Sequence, residues 1–183
     1  MKVLVLHGSP RRGMNSDTLA ERFLEGLAEG GDAEVTHFYT NEIDVSPCQG
    51  CLHCATSPGH SCVIDDDMTE IYAAYRGSDL VVWATPMYWG YMTAQLKAVL
   101  DRMEALAWEG FYDKTFAVFI TYRHHYESTK GFFERIAPYF RIRLHVLPCQ
   151  TYDPETREDL PISSCVDKLG AAYDLGMKLG ARK

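Results

Sequence analysis

Short apolar runs alternate along the chain with longer segments in which apolar positions recur every three or four residues. Lys2–His7 is apolar without strict alternation, the pattern of a strand covered on both faces. Helical spacing follows, with Asn15 or Ser16 able to cap a helix through about Glu29 that places Leu19, Phe23, Leu24 and Leu27 on one face. Gly30-Gly31 ends it, and Ala33–Tyr39 predicts a second strand. Beyond a polar, cysteine-bearing loop, Asp65-Asp66-Asp67 supplies capping and first-turn acids to a helix reaching about Arg76. Asp79–Thr85 is the clearest buried strand. A helix over about Met92–Leu106, a strand at Thr115–Thr121, a helix near Gly131–Phe140, a strand at Arg143–Leu147 and a helix over about Ser163–Leu179 complete the series.

Strands separated by helices pair in parallel, because parallel neighbours need right-handed crossovers that lay helices on both sheet faces. The expected architecture is α/β: a flavodoxin-like three-layer sandwich with a five-stranded parallel sheet in the order 2-1-3-4-5. A single domain is expected over residues 1–183, with a cysteine-rich loop at 46–63. This order has a switch point between strands 1 and 3, where the strands' carboxyl ends open a crevice for a ligand. The loops after Gly8 and Thr85 therefore carry the expected site.

Composition narrows the picture. A formal net charge of −7 argues against a general nucleic-acid binder. No apolar run approaches the roughly 18 residues that span a bilayer. The apolar run that starts at Lys2 leaves no room for a targeting peptide, so a cytosolic protein is expected.

The first loop, Gly8-Ser9-Pro10-Arg11-Arg12-Gly13-Met14-Asn15-Ser16, runs directly into a helix. Such a turn aims free backbone amides and the positive end of the helix dipole at one point, which suits a phosphate. Ser9, Asn15 and Ser16 add neutral donors and Arg11 a charged one. The loop lacks a Gly-Lys-Ser/Thr ending and a Gly-x-Gly-x-x-Gly run, so a single terminal phosphomonoester fits it better than a nucleoside triphosphate or a dinucleotide. The second loop, Thr85-Pro86-Met87-Tyr88-Trp89-Gly90-Tyr91-Met92, carries aromatic and thioether groups where turns are usually polar. A flat ligand edge would pack against it, and an oligomer contact is a compatible role. Thr121-Tyr122 begins a third loop on the ligand's far side. His124 and His125 there, and His53 and His60 in the cysteine loop, are expected to be solvated. Lys97 and Asp101 form an i,i+4 pair on a helix surface. With Arg102, they carry a sharper reading as support for the ligand or an interface.

Cys48, Cys51, Cys54 and Cys62 fall within fifteen residues. Two-residue gaps let consecutive thiolates wrap a compact inorganic core, and the early third ligand suits a cuboidal cluster better than one tetrahedral ion. Zinc and redox-active thiols are the alternatives at this point. Cys149 and Cys165 lie far off in sequence and read as packing residues.

His7-Gly8-Ser9-Pro10-Arg11, Asn15-Ser16-x-x-Leu19, the cysteine run, Asp66-Asp67-Met68, Thr85-Pro86-Met87-Tyr88-Trp89-Gly90 and Leu96-Lys97-x-x-Leu100-Asp101-Arg102 together resemble the iron–sulfur flavoproteins. These lie within the larger group of NAD(P)H-dependent FMN reductases. The resemblance runs from the first strand to about Met103 and implies a flavodoxin-like fold, FMN and a [4Fe-4S] cluster. It implies that Ser9, Arg11, Asn15 and Ser16 hold the FMN phosphate, and that Pro86, Met87, Tyr88, Trp89 and Gly90 border the isoalloxazine. Thr121 and Tyr122 would lie on the ring's other side, and Cys48, Cys51, Cys54 and Cys62 would ligate the cluster. Relatives often carry a small glycine-containing turn after strand 4, from which Tyr122-Arg123-His124 departs.

The resemblance further implies a redox protein that couples two-electron flavin chemistry to one-electron transfer, with no acid–base residue supplied by the protein. Its donor would be NAD(P)H or a ferredoxin-like electron-transfer protein, its acceptor a small molecule, and its assembly a homodimer or homotetramer. Two other functions share the fold. One is a cluster-free NAD(P)H-dependent FMN reductase of quinones, nitro compounds or metals. The other is a flavodoxin-like electron shuttle or redox sensor.

Overall fold

The computed structural model describes residues 1–181. Five parallel strands, β1 (Lys2–His7), β2 (Glu34–Tyr39), β3 (Leu80–Tyr88), β4 (Thr115–Tyr122) and β5 (Arg143–Gln150), pair in the order β2-β1-β3-β4-β5. The helices between and after them are α1 (Asn15–Gly30), α2 (Met68–Gly77), α3 (Ala94–Arg102), α4 (Glu127–Ile136) and α5 (Val166–Gly180). This is the flavodoxin-like sandwich expected from the sequence.

The side-chain period of two divides each central strand between two cores. Leu4, Leu6, Val81, Trp83, Phe116 and Val118 face α2, α3 and α4, meeting Ile71, Tyr75, Leu96, Val99 and Phe133. Val3, Val5, Val82, Ala117 and Phe119 face α1 and α5, meeting Leu19, Phe23, Leu27 and Ala172. Both faces being covered explains why these strands read as unbroken apolar runs. Helices α1 and α5 approach backbone to backbone. A Cβ on Gly26 would stand 2.1 Å from the Tyr173 carbonyl oxygen, and one on Gly176 the same distance from that of Phe23.

Several boundaries differ from the sequence reading. Helix α4 begins at Glu127, four residues before Gly131: Glu127 places its carboxylate at the positive end of the dipole, and Pro138 prevents continuation past the next turn. Helix α5 starts at Val166, after a turn of 3₁₀ helix at Ile162–Ser164. Neither Asn15 nor Ser16 caps α1; Met14 is the N-cap and offers no side-chain bond. Strand β3 continues through Pro86, Met87 and Tyr88 and folds back on Tyr91–Met92 as a short antiparallel hairpin. Trp89 and Gly90 turn it with φ of 50° and 81°, the left-handed backbone of a tight hairpin turn. No helix among the described residues is long and apolar enough to cross a membrane.

Candidate functional site

The switch point is pinned at Gly8. Its amide donates to the Ala84 carbonyl at 2.7 Å, and its carbonyl accepts from the Thr93 hydroxyl at 2.6 Å. A Cβ there would lie 2.9 Å from that of Leu96, so only glycine lets β1 pass this close to α3. The pin brings the first loop opposite the β3 hairpin, and between them opens a cleft of about 690 Å³. Ser9, Arg11, Asn15 and Ser16 line it from the first loop, Pro86, Met87, Tyr88 and Trp89 from the hairpin, and Thr121 and Tyr122 from the end of β4. Gly90 alone of the residues assigned to the two loops and to β4 is not part of the lining.

At the α1 end the cleft presents donors that the protein leaves unsatisfied. The first amides of a helix have no intrahelical acceptor, and here no side chain caps them. Ser16 is 2% exposed, and its hydroxyl has no hydrogen-bond partner among the described residues. Such a buried orphan is costly unless a ligand satisfies it. The Arg11 side chain is exposed and free of ion pairs among the described residues. The Ser9 hydroxyl is already used within the loop, donating to the Arg11 carbonyl at 3.0 Å and accepting from its amide at 3.1 Å. Asp17 accepts from the Gly13 amide at 2.8 Å and from the His7 ring, bracing the loop from behind.

The opposite side is aromatic. Tyr122 packs on Tyr126 with ring centroids 4.6 Å apart, and burial, followed by Tyr126 and Glu127, raises its phenol pKa. Sequence reasoning missed the segment after β5, where Thr151, Asp159, Leu160 and Pro161 complete the lining. A two-stranded ribbon, Tyr152–Asp153 with Glu158–Asp159, shapes that segment. An Arg123–Asp159 ion pair ties it to the β4 loop. No local pattern marks these residues, because they meet the cleft through long-range packing alone.

The four loop cysteines, all free, line one smaller cavity together with Ile64, Arg102 and Ala105. It shares no lining residue with the cleft. Burial first, then Glu104 and Cys62, push the Cys54 thiol pKa up, so that thiol resists ionisation until a metal claims it. Arg102 is buried, unlike the exposed Lys97–Asp101 pair beside it. Its guanidinium donates to the carbonyls of Ser46 at 2.9 Å and Ile64 at 3.3 Å and to both oxygens of Asp66. His60 is not a solvated loop residue. It bonds the Cys54 carbonyl at 2.8 Å and stacks on Trp108, contacts that depend on the loop's fold and leave no local trace.

A doubly wound sheet with an uncapped helix start and an aromatic hairpin facing each other across its switch point defines the flavodoxin-like class. Within that class, residues 1–131 match the family model described as NADPH-dependent FMN reductase, and the chain belongs to that family. An iron-sulfur flavoprotein of Methanosarcina thermophila is 41% identical over 111 residues, 61% of this chain and 56% of that protein. The chain spans about half the length of the curated relatives it matches. Among solved structures, an NAD(P)H:quinone oxidoreductase from Methanothermobacter marburgensis superposes with a TM-score of 0.72 at 21% identity, covering 100% of this chain and 98% of that one. An FMN-dependent NADH-azoreductase from Bacillus anthracis in complex with FMN gives 0.74 at 12% identity, covering 98% and 100%. These likenesses establish the fold.

Proposed function

We propose that the switch-point cleft holds FMN, that the cysteine cavity holds a [4Fe-4S] cluster, and that the protein couples two-electron flavin chemistry to one-electron transfer. The observation that carries the reading is the convergence of Cys48, Cys51, Cys54 and Cys62, at that sequence spacing, on one cavity apart from the cleft. Bound FMN supplies hydride or single-electron chemistry, and a cluster passes one electron at a time.

The chain's own residues bind and orient. The first amides of α1, the orphaned Ser16 hydroxyl, Asn15 and the free Arg11 guanidinium receive the phosphate. Ser9 shapes the loop that presents them. Pro86, Met87, Tyr88, Trp89 and Gly90 border the ring on the hairpin side, and Thr121 and Tyr122 lie across from them. No side chain is assigned an acid–base role. Cys48, Cys51, Cys54 and Cys62 ligate the cluster, and the buried Arg102 holds the backbone on either side of them through the Ser46 and Ile64 carbonyls.

NAD(P)H or a ferredoxin-like protein delivers electrons in this reading, and a small molecule receives them. Because the two cavities have no residue in common, a homodimer or homotetramer brings the cluster of one copy toward the flavin of another. The apolar surfaces of Trp89, Leu52, Val63 and Trp108, which range from 49% to fully exposed, give such contacts material to bury.

Oxygen-free isolation followed by iron, acid-labile sulfide and flavin analysis tests the reading. About four iron and four sulfide per flavin are expected, with a broad absorption that bleaches on one-electron reduction. Cys51→Ser should lose the iron and keep the flavin. Flavin without iron in such a preparation overturns the two-centre reading and leaves an FMN reductase.

A further inference from the structure

We propose that His7, His37 and Glu21 form a binding site for a zinc-type divalent cation, separate from both the cleft and the cysteine cavity. His7 ends β1, His37 lies in the neighbouring edge strand β2, and Glu21 stands on the overlying helix α1. The His7 Nε2 and His37 Nδ1 atoms are 3.0 Å apart, and the Glu21 carboxylate reaches within 4.8 Å of both. Around tetrahedral zinc with nitrogen bonds of about 2.0–2.1 Å, neighbouring nitrogens are roughly 3.3–3.4 Å apart. The pair has only to open by a few tenths of an ångström.

The orientation of His7 is fixed independently of its neighbour. The ring is fully buried and stacks on Tyr39 at 4.2 Å. Its backbone carbonyl accepts from the amide and hydroxyl of Thr40. Its Nδ1 lies 3.0 Å from Asp17 Oδ1, while the other Asp17 oxygen accepts from the Gly13 amide. A carboxylate on Nδ1 makes that nitrogen the protonated one and leaves the Nε2 lone pair facing His37. Carboxylate–histidine–metal arrangements orient and strengthen a ligand in this way.

The other two ligands are available. His37 meets His7 through Nδ1 and makes no other hydrogen bond among the described residues. Glu21 lies one helical turn beyond Asp17 on the same face, and its carboxylate makes no hydrogen bond or ion pair among the described residues. Both His37 and Glu21 are exposed, so solvent can complete the coordination of a two-histidine, one-carboxylate site. None of the three residues lines either cavity, and the flavin reading uses none of them. Asp17 links the site to Gly13, so a bound ion would also brace the loop that faces the cleft.

Zinc-soaked crystals measured on either side of the zinc absorption edge test the site directly. The expected result is an anomalous peak about 2.0–2.1 Å from His7 Nε2 and His37 Nδ1, distinct in position from zinc held by the cysteine loop. In solution, with the loop thiols alkylated beforehand, cobalt should bind with a spectrum free of sulfur-to-metal charge transfer. His37→Ala and Glu21→Gln should each weaken that binding, His37→Ala by at least about 100-fold, and Asp17→Asn should weaken it by about 10–100-fold while His7 is retained. The two substituted ligands lie at the surface, and unchanged melting temperatures would show that the fold persists. No peak between the two rings, or equal cobalt affinity in His37→Ala, would reduce the pair to a histidine–histidine hydrogen bond and overturn the site without touching the flavin and cluster assignments.

Discussion

The Arg102 guanidinium grips the Asp66 carboxylate through two hydrogen bonds of 2.7 and 3.1 Å, with 1% and 3% of the two side chains exposed. The same guanidinium holds the Ser46 and Ile64 carbonyls, one on each side of the cysteine run. Asp66 in turn accepts from the Ser46 and Met68 amides. One ion pair therefore closes the loop at its base and joins it to the start of α2 and the end of α3.

Asp66→Asn should cost about 3–5 kcal/mol of unfolding free energy, because it leaves a buried guanidinium without its counter-charge. Denaturant titration measures the loss. Iron content in oxygen-free preparations should fall with it, since both ends of the cysteine loop lose their anchor. A variant as stable as the parent would show that the pair is solvated in solution.

The same pair sets an acid limit. Burial opposes ionisation of Asp66, but Arg102 and the two amides outweigh it and hold its pKa below the usual value of 3.8. A lowered folded pKa adds stability that is complete above the unfolded pKa and disappears as pH falls through the folded one. The stability gap between wild type and Asp66→Asn should therefore be constant from neutrality to about pH 5 and close below pH 4. Asp113, Glu127 and Asp153 are also lowered but exposed, so solvent screens their contributions. A gap that persists undiminished to strongly acid pH would contradict this linkage.

Ser16→Ala separates binding from folding. The hydroxyl has no partner within the protein, so the apo variant should match wild type within about 0.5 kcal/mol or exceed it. A hydrogen bond to a charged phosphate is worth roughly 1.5–3 kcal/mol, which predicts FMN binding weaker by about 10–100-fold. Flavin fluorescence titration reads the affinity and thermal melting the stability. Loss of both together would mean that Ser16 serves the helix and not a ligand.

Much of this was legible in the sequence. The strand order followed from five strands alternating with helices, and all but one of the residues assigned to the first loop, the aromatic loop and the end of β4 line one cleft. The aromatic loop proved to be a hairpin, hidden because Tyr88-Trp89-Gly90-Tyr91 puts tryptophan where a tight turn usually has asparagine or aspartate. Arg102 and Asp66 lie 36 residues apart, and His7 and His37 lie 30 apart. Pairings at such separations leave no local periodicity. Arg102 in particular is buried because the folded cysteine loop brings Ser46, Ile64 and Asp66 to it. The 151–161 segment lay beyond the stretch that resembles known relatives.

Thiol labelling should divide the cysteines. Cys149 is fully buried, and burial, followed by Cys165, pushes its pKa up to about 12. The thiolate is the reactive form, so Cys149 should resist iodoacetamide at neutral pH. Exposed Cys48 and Cys51 should label first in metal-free protein. Reconstitution with iron and sulfide should protect the loop thiols and leave Cys149 unchanged. Mass spectrometry of the peptides decides, and rapid labelling of Cys149 would mean that the β5 end opens in solution.

Two glycines in α5 should respond to the same substitution with opposite signs. A Cβ on Gly176 would stand 2.1 Å from the Phe23 carbonyl oxygen and 2.7 Å from the Leu27 amide nitrogen, both on the rigid backbone of α1. Gly176→Ala must therefore push the helices apart, at a cost of about 1–3 kcal/mol. A Cβ on Gly170 meets nothing within 4 Å, so Gly170→Ala should gain about 0.5–1 kcal/mol by restricting the unfolded chain and favouring the helix. Denaturation midpoints of the two variants test the close crossing directly. The two helices cross this closely only because glycine removes side chains from the contact, so equal stability of Gly176→Ala and wild type would refute the backbone-to-backbone approach.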